Sequence, residues 1–333
     1  MSRASRARRI VTAAAYGGGS IGLLGAALWG VLFSEAKLAR RWVGTPGWEA
    51  PAGDGIWGTG DSAMVTLAVL GDSSAAGLGA RETVETPGVL LASGLSAVSE
   101  RPVKLVNMAV VGAKSRDLAD QLDRVQPFHP DVALIMIGAN DVTNRIRPAE
   151  SVRHLAEAVA RLRAIDCQVV VGTCPDLGTI KPIVQPLRLL ARRWSRQLAA
   201  AQTIVVVEAG GRTVSLGDIL GPEFAARPGE MFSSDRFHPS AEGYAAAAAV
   251  LLPSICASLG VCPADEEDLP PRPFRREGVR PVAKAAARAA GVPGSEVAAT
   301  RVDGVERGPW GRWVRLRRRR PRPIPEPQER VDS

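Results

Sequence analysis

The chain has 333 residues, 46% of them hydrophobic, which is enough for one sizeable core with extensions at its ends. Its net charge of +8 is uneven: residues 1–41 carry +6 and residues 263–333 carry +5, which leaves −3 for residues 42–262. A nucleic-acid-binding core needs a basic face of its own, so no nucleic acid is expected as a partner of the central region.

The N-terminus has the pattern of an export signal or a membrane anchor. A basic stretch, residues 1–9, precedes 24 uncharged residues, 10–33. At about 1.5 Å per residue, such a segment can cross a hydrocarbon core about 30 Å thick. Its length and the poor cleavage site behind it favour a retained transmembrane anchor over a cleaved signal peptide. We therefore expect residues 1–41 to attach the chain to the cell membrane, or to export it, with the following domain outside the cytoplasm.

Behind this segment, residues 42–62 are rich in Gly, Pro and Trp and are predicted to be a linker. From residue 63 onwards, short apolar runs alternate with helical segments, which predicts an α/β domain over 63–262. The runs are continuous in Val, Ile and Leu, as expected for parallel strands that are buried on both faces. Five strands are predicted, at 64–70, 103–110, 131–137, 168–173 and 203–208.

Helices are predicted between these strands. Pro87 follows Thr86 at the start of the first helix, Ser115 can cap the second, and Ser240 can cap the last. Strands that alternate with helices give right-handed crossovers and a doubly wound sheet between two helical layers. The predicted helices are 86–100, 115–125, 148–164, 186–202 and 240–260.

The C-terminal segment 263–333 does not continue this pattern. It holds eleven of the 25 prolines and few apolar residues, so disorder is expected. Within it, residues 312–322 interleave Trp, Val and Leu with arginines. That composition suits an anionic lipid surface or an acidic envelope polymer, and a merely solubilising tail is the alternative.

The four cysteines show no metal-ligand spacing, so no metal site is predicted. Cys167 and Cys174 bracket a strand-like run that spans about 23 Å when extended, beyond disulfide reach. Cys256 and Cys262 flank a predicted helix end. They could pair in an exported protein or remain as two buried thiols.

Small and polar residues follow three of the predicted strands, where sites form in open α/β sheets. GDSSAAG (71–77) follows the first strand, VGAKS (111–115) the second and GANDVTN (138–144) the third, while SSDRFHPS (233–240) precedes the last helix. Together these segments offer a hydroxyl, an imidazole, a carboxylate and hydrogen-bond donors. Those are the groups that acyl transfer requires.

Four short blocks within residues 64–260 resemble, in order, those of the SGNH, or GDSL-type, serine hydrolases. They are Gly71-Asp72-Ser73 with Gly77, then Gly112, then Gly138-Ala139-Asn140-Asp141, and last Asp235-Arg236-Phe237-His238. The resemblance implies a flavodoxin-like three-layer α/β/α fold with a five-stranded parallel sheet. It also implies ester hydrolysis through an acyl-enzyme, without a cofactor.

The resemblance assigns roles by position. Ser73 matches the nucleophile, His238 the general base, and Asp235 the carboxylate that orients the imidazole. The backbone N–H groups of Ser73 and Gly112 and the side-chain amide of Asn140 match the oxyanion hole.

The neighbouring residues are expected to support this site. Ser74 is a competing nucleophile, but the motif favours Ser73, the residue directly after Asp72. Asp72 is expected to close its loop by a hydrogen bond, and Asp141 to brace the loop of Asn140. The apolar, Pro-rich segment 174–186 is expected to form a pocket wall or a lid.

We therefore expect a serine esterase that removes short acyl groups, such as acetyl, from a small ester, a lipid or an acylated glycan. A thioesterase, a lysophospholipase or an acyltransferase would use the same triad. A non-catalytic binding module of the cell envelope is the alternative outside enzymes. Such a module has no need for Asp235 and His238 together.

Overall fold

The apolar runs form the centre of a mostly parallel sheet. The computed structural model describes residues 48–261 together with 301–302 and 305–306. Within these residues the sheet has six strands: β1 Gly55–Trp57, β2 Val65–Gly71, β3 Val103–Asn107, β4 Val132–Met136, β5 Gln168–Gly172 and β6 Arg212–Val214. Their order is β1-β3-β2-β4-β5-β6. Neighbours from β3 to β6 are parallel, and β1 pairs with β3 in the antiparallel sense.

Helices cover both faces of this sheet, so the predicted three-layer architecture is confirmed. The helices of the described chain are α1 Ser73–Ala76, α2 Pro87–Ser99, α3 Leu118–Val125, α4 Ala139–Thr143, α5 Pro148–Arg163, α6 Leu187–Glu208, α7 Leu216–Ile219, α8 Gly221–Ala226, α9 Pro228–Met231 and α10 Ala241–Ser258. On one face α2 packs with α10, and on the other α3 and α6 pack against α5.

The continuous apolar runs are explained by these two layers. Along β2, Leu67 and Val69 enter the core beneath α2 and α10, whereas Ala68 and Leu70 enter the opposite core beneath α3 and α5. All four side chains are fully buried. Each large aliphatic side chain buried in this way stabilises the fold by about 1.5–3 kcal/mol.

The predicted fifth strand, 203–208, is wrong, because this segment is the last part of helix α6. The buried positions of α6 include Ala191, Ser195, Leu198, Gln202 and Val206, spaced by three or four residues as on one helix face. That helical register continues through the Val-rich segment and overrides its β propensity. The fifth parallel strand is β6 instead, which follows the helix end.

The sheet also contains a strand that the sequence did not predict. Residues Gly55–Trp57 of the predicted linker pair with β3 at the sheet edge, so this part of 42–62 belongs to the sheet. Trp57 packs against the core beneath α2, and its indole N–H donates to the carbonyl of Gly53 at 2.8 Å. The strand is thus held by its pairing at the sheet edge and by the contacts of Trp57.

Several sequence-based expectations fall outside the described residues: the anchor at 10–33, the basic segment 312–322, and the Cys256–Cys262 pair, because Cys262 is not described. Within the predicted tail, β7 Arg301–Val302 and β8 Val305–Glu306 pair as antiparallel strands. In the described part of the chain, α10 is the one helix that is long and apolar enough to cross a membrane. It is also a core helix, with 67% of that length buried inside the fold.

The strand order determines where a site can form. From β2 the chain crosses to β3 on one side and later to β4 on the other. The loops after these strands therefore diverge and leave a crevice at the carboxyl ends of the strands. The candidate residues after β2, β3 and β4 lie at this crevice.

Candidate active site

The segment after β2 is a tight turn that leads into the short helix α1. The side chain of Asp72 caps this helix by accepting the N–H of Ser74 at 3.0 Å, and Gly77 ends it in the left-handed conformation. Gly71 has a φ of +136°, and a Cβ there would lie 1.9 Å from the carbonyl oxygen of Met136. Glycine is therefore required at position 71, where the end of β2 lies against β4, and the turn that follows places Ser73 at the start of the helix.

Ser73 meets the loop before α10 in a continuous hydrogen-bonded chain. Its Oγ lies 2.9 Å from Nε2 of His238, and Nδ1 of that imidazole lies 2.6 Å from Oδ2 of Asp235. All three residues are buried. The sequence separates Ser73 from His238 by 165 positions, and the fold brings them into direct contact.

The carboxylate of Asp235 is held on both of its oxygens. While Oδ2 faces the imidazole, Oδ1 accepts the hydroxyl of Ser233 at 2.7 Å and the backbone N–H groups of Phe237 and His238 at 2.9 and 3.0 Å. Burial alone raises the pKa of Asp235, but the bonds from the imidazole, the hydroxyl and the two N–H groups outweigh it and lower the pKa to about 2. Asp235 is therefore ionised at neutral pH and accepts a hydrogen bond from the Nδ1–H of His238.

Gly112 and Asn140 lie on two adjoining loops. The amide of Asn140 donates from Nδ2 to the carbonyl of Ala113 at 3.1 Å, which joins α4 to the loop after β3. Gly112 has a φ of +84°, and a Cβ there would meet nothing within 4 Å. Glycine is thus favoured by the backbone conformation and not by crowding. Within residues 48–261 the backbone N–H groups of Ser73 and Gly112 have no protein acceptor.

Two further buried carboxyl groups support these loops. Oδ2 of Asp141 accepts both the N–H and the hydroxyl of Ser115 at 3.1 Å, and Oδ1 accepts the hydroxyl of Ser151 at 2.9 Å. These bonds join Asp141 to the loop after β3 and to α5. Burial raises the pKa of Asp141, and burial also raises the pKa of Asp72 to about 6 against the lowering effect of the Ser74 N–H.

An apolar cavity of about 100 Å³ adjoins the turn that carries Ser73. Pro175, Leu177 and Ile180 line it, so part of the segment 174–186 forms a pocket wall as expected. Sequence reasoning missed another part of the wall, which comes from the short helices after β6 and the loop that follows them. These residues carry no short motif: Leu216, Leu220, Phe224 and Phe232.

This fold and site define a hydrolase of the α/β/α class with a serine, a histidine and an aspartate in contact. Residues 69–246 match the GDSL-like lipase/acylhydrolase family. The GDSL-like esterase Rv1075c of Mycobacterium tuberculosis is 44% identical over 235 residues, which cover 66% of this chain and 74% of that protein. The chain therefore belongs to the GDSL-like lipase/acylhydrolase family and is a carboxylic ester hydrolase.

Similar solved structures include a lipase/acylhydrolase from Enterococcus faecalis, with 21% identity and a TM-score of 0.49 over 60% of this chain and 99% of that one. A catalytic mutant of Axe2, an acetylxylan esterase from Geobacillus stearothermophilus, has 21% identity and a TM-score of 0.48. The match covers 61% of this chain and 95% of the Axe2 chain.

Proposed function

We propose that Ser73, His238 and Asp235 form the catalytic triad of a serine esterase that hydrolyses short-chain esters through an acyl-enzyme. The observation that carries this proposal is the unbroken chain from Ser73 Oγ through the imidazole to the carboxylate, at 2.9 and 2.6 Å. A nucleophile within hydrogen-bond reach of a base, and a base oriented by a third group, are the defining features of such a triad.

In the acylation step, Oγ of Ser73 attacks the ester carbonyl carbon while Nε2 of His238 takes its proton. The ionised Asp235 holds Nδ1–H and stabilises the imidazolium. When the tetrahedral intermediate collapses, the C–O bond to the alcohol breaks and the imidazolium gives its proton to the leaving oxygen. In the second step a water molecule attacks the acyl-enzyme, His238 takes the water proton, and that proton then returns to Oγ of Ser73 as the carboxylic acid leaves.

The oxyanion of each tetrahedral intermediate needs donors that are not engaged elsewhere. We assign this role to the N–H groups of Ser73 and Gly112 and to the amide of Asn140. The two N–H groups lack acceptors within residues 48–261, and the Asn140 amide uses one of its two protons on Ala113, which leaves the second for the oxyanion. Each donor is worth about 3 kcal/mol in the transition state.

The test is a comparison of Ser73→Ala with Ser74→Ala in the purified full chain. Ser73→Ala should abolish both the hydrolysis of p-nitrophenyl acetate and covalent labelling by a fluorophosphonate. Ser74→Ala should keep the label, because its hydroxyl is not in contact with His238. Labelling that disappears in Ser74→Ala and survives in Ser73→Ala would reverse the assignment.

The location of the protein and the class of its substrate are separate parts of the proposal. The uncharged segment 10–33 supports a retained anchor with residues 63–262 outside the cytoplasm, and the arginines of 312–322 support contact with an anionic surface. A small ester, a lipid or an acylated glycan can then serve as substrate. If the anchor is retained, the chain should stay with the membrane after alkaline carbonate extraction, and its release would show that residues 10–33 do not hold it there.

A further inference from the structure

The apolar cavity lies directly beside the catalytic pair. Asp72 and Ser74, the neighbours of Ser73 in the chain, both line it. So do Phe237 and Pro239, the two neighbours of His238. A group attached to Ser73 therefore has this cavity next to it, although the cavity wall includes neither Ser73 nor His238 themselves.

The wall of the cavity is almost entirely apolar and is held in place. It includes the side chains of Met136, Ile137, Leu177, Ile180, Leu216, Leu220, Phe224 and Phe232. The rings of Phe224 and Phe232 pack edge to face at 4.9 Å. Asp176, the residue before Leu177, is buried and accepts bonds at about 3 Å from Arg192 and Arg196, which tie this wall to α6.

The size of the cavity limits what it can hold. An engineered protein cavity of about 150 Å³ lined by aliphatic and aromatic side chains binds benzene. A cavity of about 100 Å³ therefore accommodates a smaller apolar group, on the order of two to four carbons.

The acyl group and the alcohol of an ester leave the site at different steps, and this difference indicates which of them the cavity receives. The acyl group stays on Ser73 between the two chemical steps, whereas the alcohol has to leave after the first. A second, wider groove of about 500 Å³ includes Ala76 and Leu78, which follow Ser73 closely in the chain, together with residues 48–54 and residues at and after the end of β3. The small apolar cavity suits the acyl arm, and the wide groove suits the departing alcohol.

Three ionisable residues line the cavity: Tyr244, Asp176 and Asp72. The carboxylate of Asp176 is paired with two arginines of α6, whereas within the described residues no arginine or lysine pairs with the carboxyl of Asp72. The exposed fraction of Asp72 is 3%, and its Oδ1 accepts the N–H of Ser74. Ionisable groups face it from each neighbouring element: His238 from the loop before α10, Tyr244 from α10, Asp141 from α4 and Cys174 from the loop after β5. The phenol of Tyr244 donates to the carbonyl of Leu78 at 2.6 Å.

We propose that the cavity receives the acyl arm of the ester, and that the Asp72 carboxyl in its wall makes the preferred acyl length depend on whether that carboxyl is protonated. This inference rests on the proposed function, because it takes Ser73 as the acylated residue. A neutral carboxyl tolerates a hydrocarbon chain beside it, whereas an ionised one requires water or another donor in the same space. Burial raises the pKa of Asp72 to about 6, so the change falls within a pH range where the ester can be assayed.

The test is the ratio of kcat/KM for p-nitrophenyl butyrate to that for p-nitrophenyl acetate, measured on the full chain between pH 5 and pH 8. Both esters use the same triad, so the titration of the catalytic groups cancels in the ratio. The ratio should fall as the pH rises, by up to about tenfold if the two additional methylenes lose their apolar contact. In Asp72→Asn, which keeps an acceptor for the Ser74 N–H, the ratio should stay high across the range.

A second pair of variants tests the cavity without changing any charge. Leu220→Ala enlarges the cavity and should shift the preferred acyl group towards hexanoate. Leu251→Ala removes a leucine of α10 that is also buried but does not line the cavity, and it should leave the acyl preference as in the wild type. Thermal unfolding of each variant shows that it is folded before its ratio is measured.

The outcomes separate this inference from the proposed function. A ratio that does not change with pH in the wild type, or one that changes equally in Asp72→Asn, would overturn the role of Asp72. An effect of Leu220→Ala on a series of alkyl acetates, without one on the acyl series, would assign the cavity to the alcohol. In either case, activity that is lost in Ser73→Ala still supports the proposed triad. Activity that persists in Ser73→Ala would refute the triad itself.

Discussion

At the scale of single residues, Asp235 illustrates how a carboxylate is fixed for one task. Its Oδ1 is used by a hydroxyl and two backbone N–H groups, so only Oδ2 faces Nδ1 of His238. An asparagine can keep the acceptor but presents an NH₂ group to the imidazole, which favours the wrong tautomer. We expect Asp235→Asn to lower kcat by about 10³–10⁴ while the protein remains folded. Steady-state kinetics with a circular dichroism spectrum checks this, and a loss of less than tenfold would remove Asp235 from the triad.

Asn140 permits a second prediction at this scale. If its amide donates to the oxyanion, Asn140→Ala should lower kcat by about 10²–10³ with a small change in KM. Asn144 lies at the exposed end of the same helix, where its amide donates to the backbone carbonyl of residue 140. Asn144→Ala is therefore the matched control and should change kcat by less than about threefold, since exposed substitutions have small effects. Equal losses in the two variants would indicate that α4 is only being destabilised.

These candidate residues could be predicted from the sequence because each belongs to a short block whose spacing is dictated by chemistry. Asp235 and His238 are three positions apart, and the loop between Ser233 and His238 closes by a backbone hydrogen bond of 2.8 Å. The wall of the cavity could not be identified in this way. Leu216, Leu220 and Phe224 lie on short helices, where the only requirement is an apolar side chain of suitable size, and many sequences meet it.

At the scale of elements, the strands and helices with a strong pattern were predictable and the others were not. Ser240 caps α10 as expected, because its hydroxyl accepts the N–H of Gly243 at 3.2 Å. A strand was wrongly predicted at 203–208 because Val and Ile are typical of strands. The real constraint on this segment is the helical register it shares with Leu198 and Gln202, which becomes visible only when the segment is considered together with the preceding helix.

That difference predicts a contrast between two neighbouring positions. In the helix Val206 is fully buried and Ile204 is 45% exposed, whereas in a strand residues two apart would lie on the same face. Val206→Ala should therefore lower the free energy of unfolding by about 2 kcal/mol. Ile204→Ala should change it by less than about 1 kcal/mol, because most of the side chain stays in water. Urea denaturation measures both, and equal losses would favour the strand.

At the scale of the whole molecule, two buried carboxyl groups of the site affect stability in opposite directions. The pKa of Asp235 is lowered to about 2, so its ionised form stabilises the fold above the pKa of the unfolded chain, near 4. That contribution is lost as the pH falls through about 2. The pKa of Asp72 is raised to about 6, so the native state retains a proton that the unfolded chain has already released between pH 4 and pH 6.

The cost of Asp72 should therefore appear as the pH rises from about 4 and should be complete above about 6. A shift of about two pKa units corresponds to roughly 3 kcal/mol, by which ionisation of Asp72 lowers the free energy of unfolding. Asp72→Asn removes this ionisation while keeping the acceptor for the Ser74 N–H, so the variant should be more stable than the wild type at pH 8 by up to about 3 kcal/mol. At pH 4 the advantage should nearly disappear, because Asp72 is then neutral in the folded protein. Urea denaturation at pH 4, 6 and 8 measures the difference in the free energy of unfolding between the variant and the wild type. Asp120 is exposed, so Asp120→Asn is the control and should change this free energy little at any pH. An advantage of Asp72→Asn that is equal at pH 4 and pH 8 would show that Asp72 does not titrate in this range.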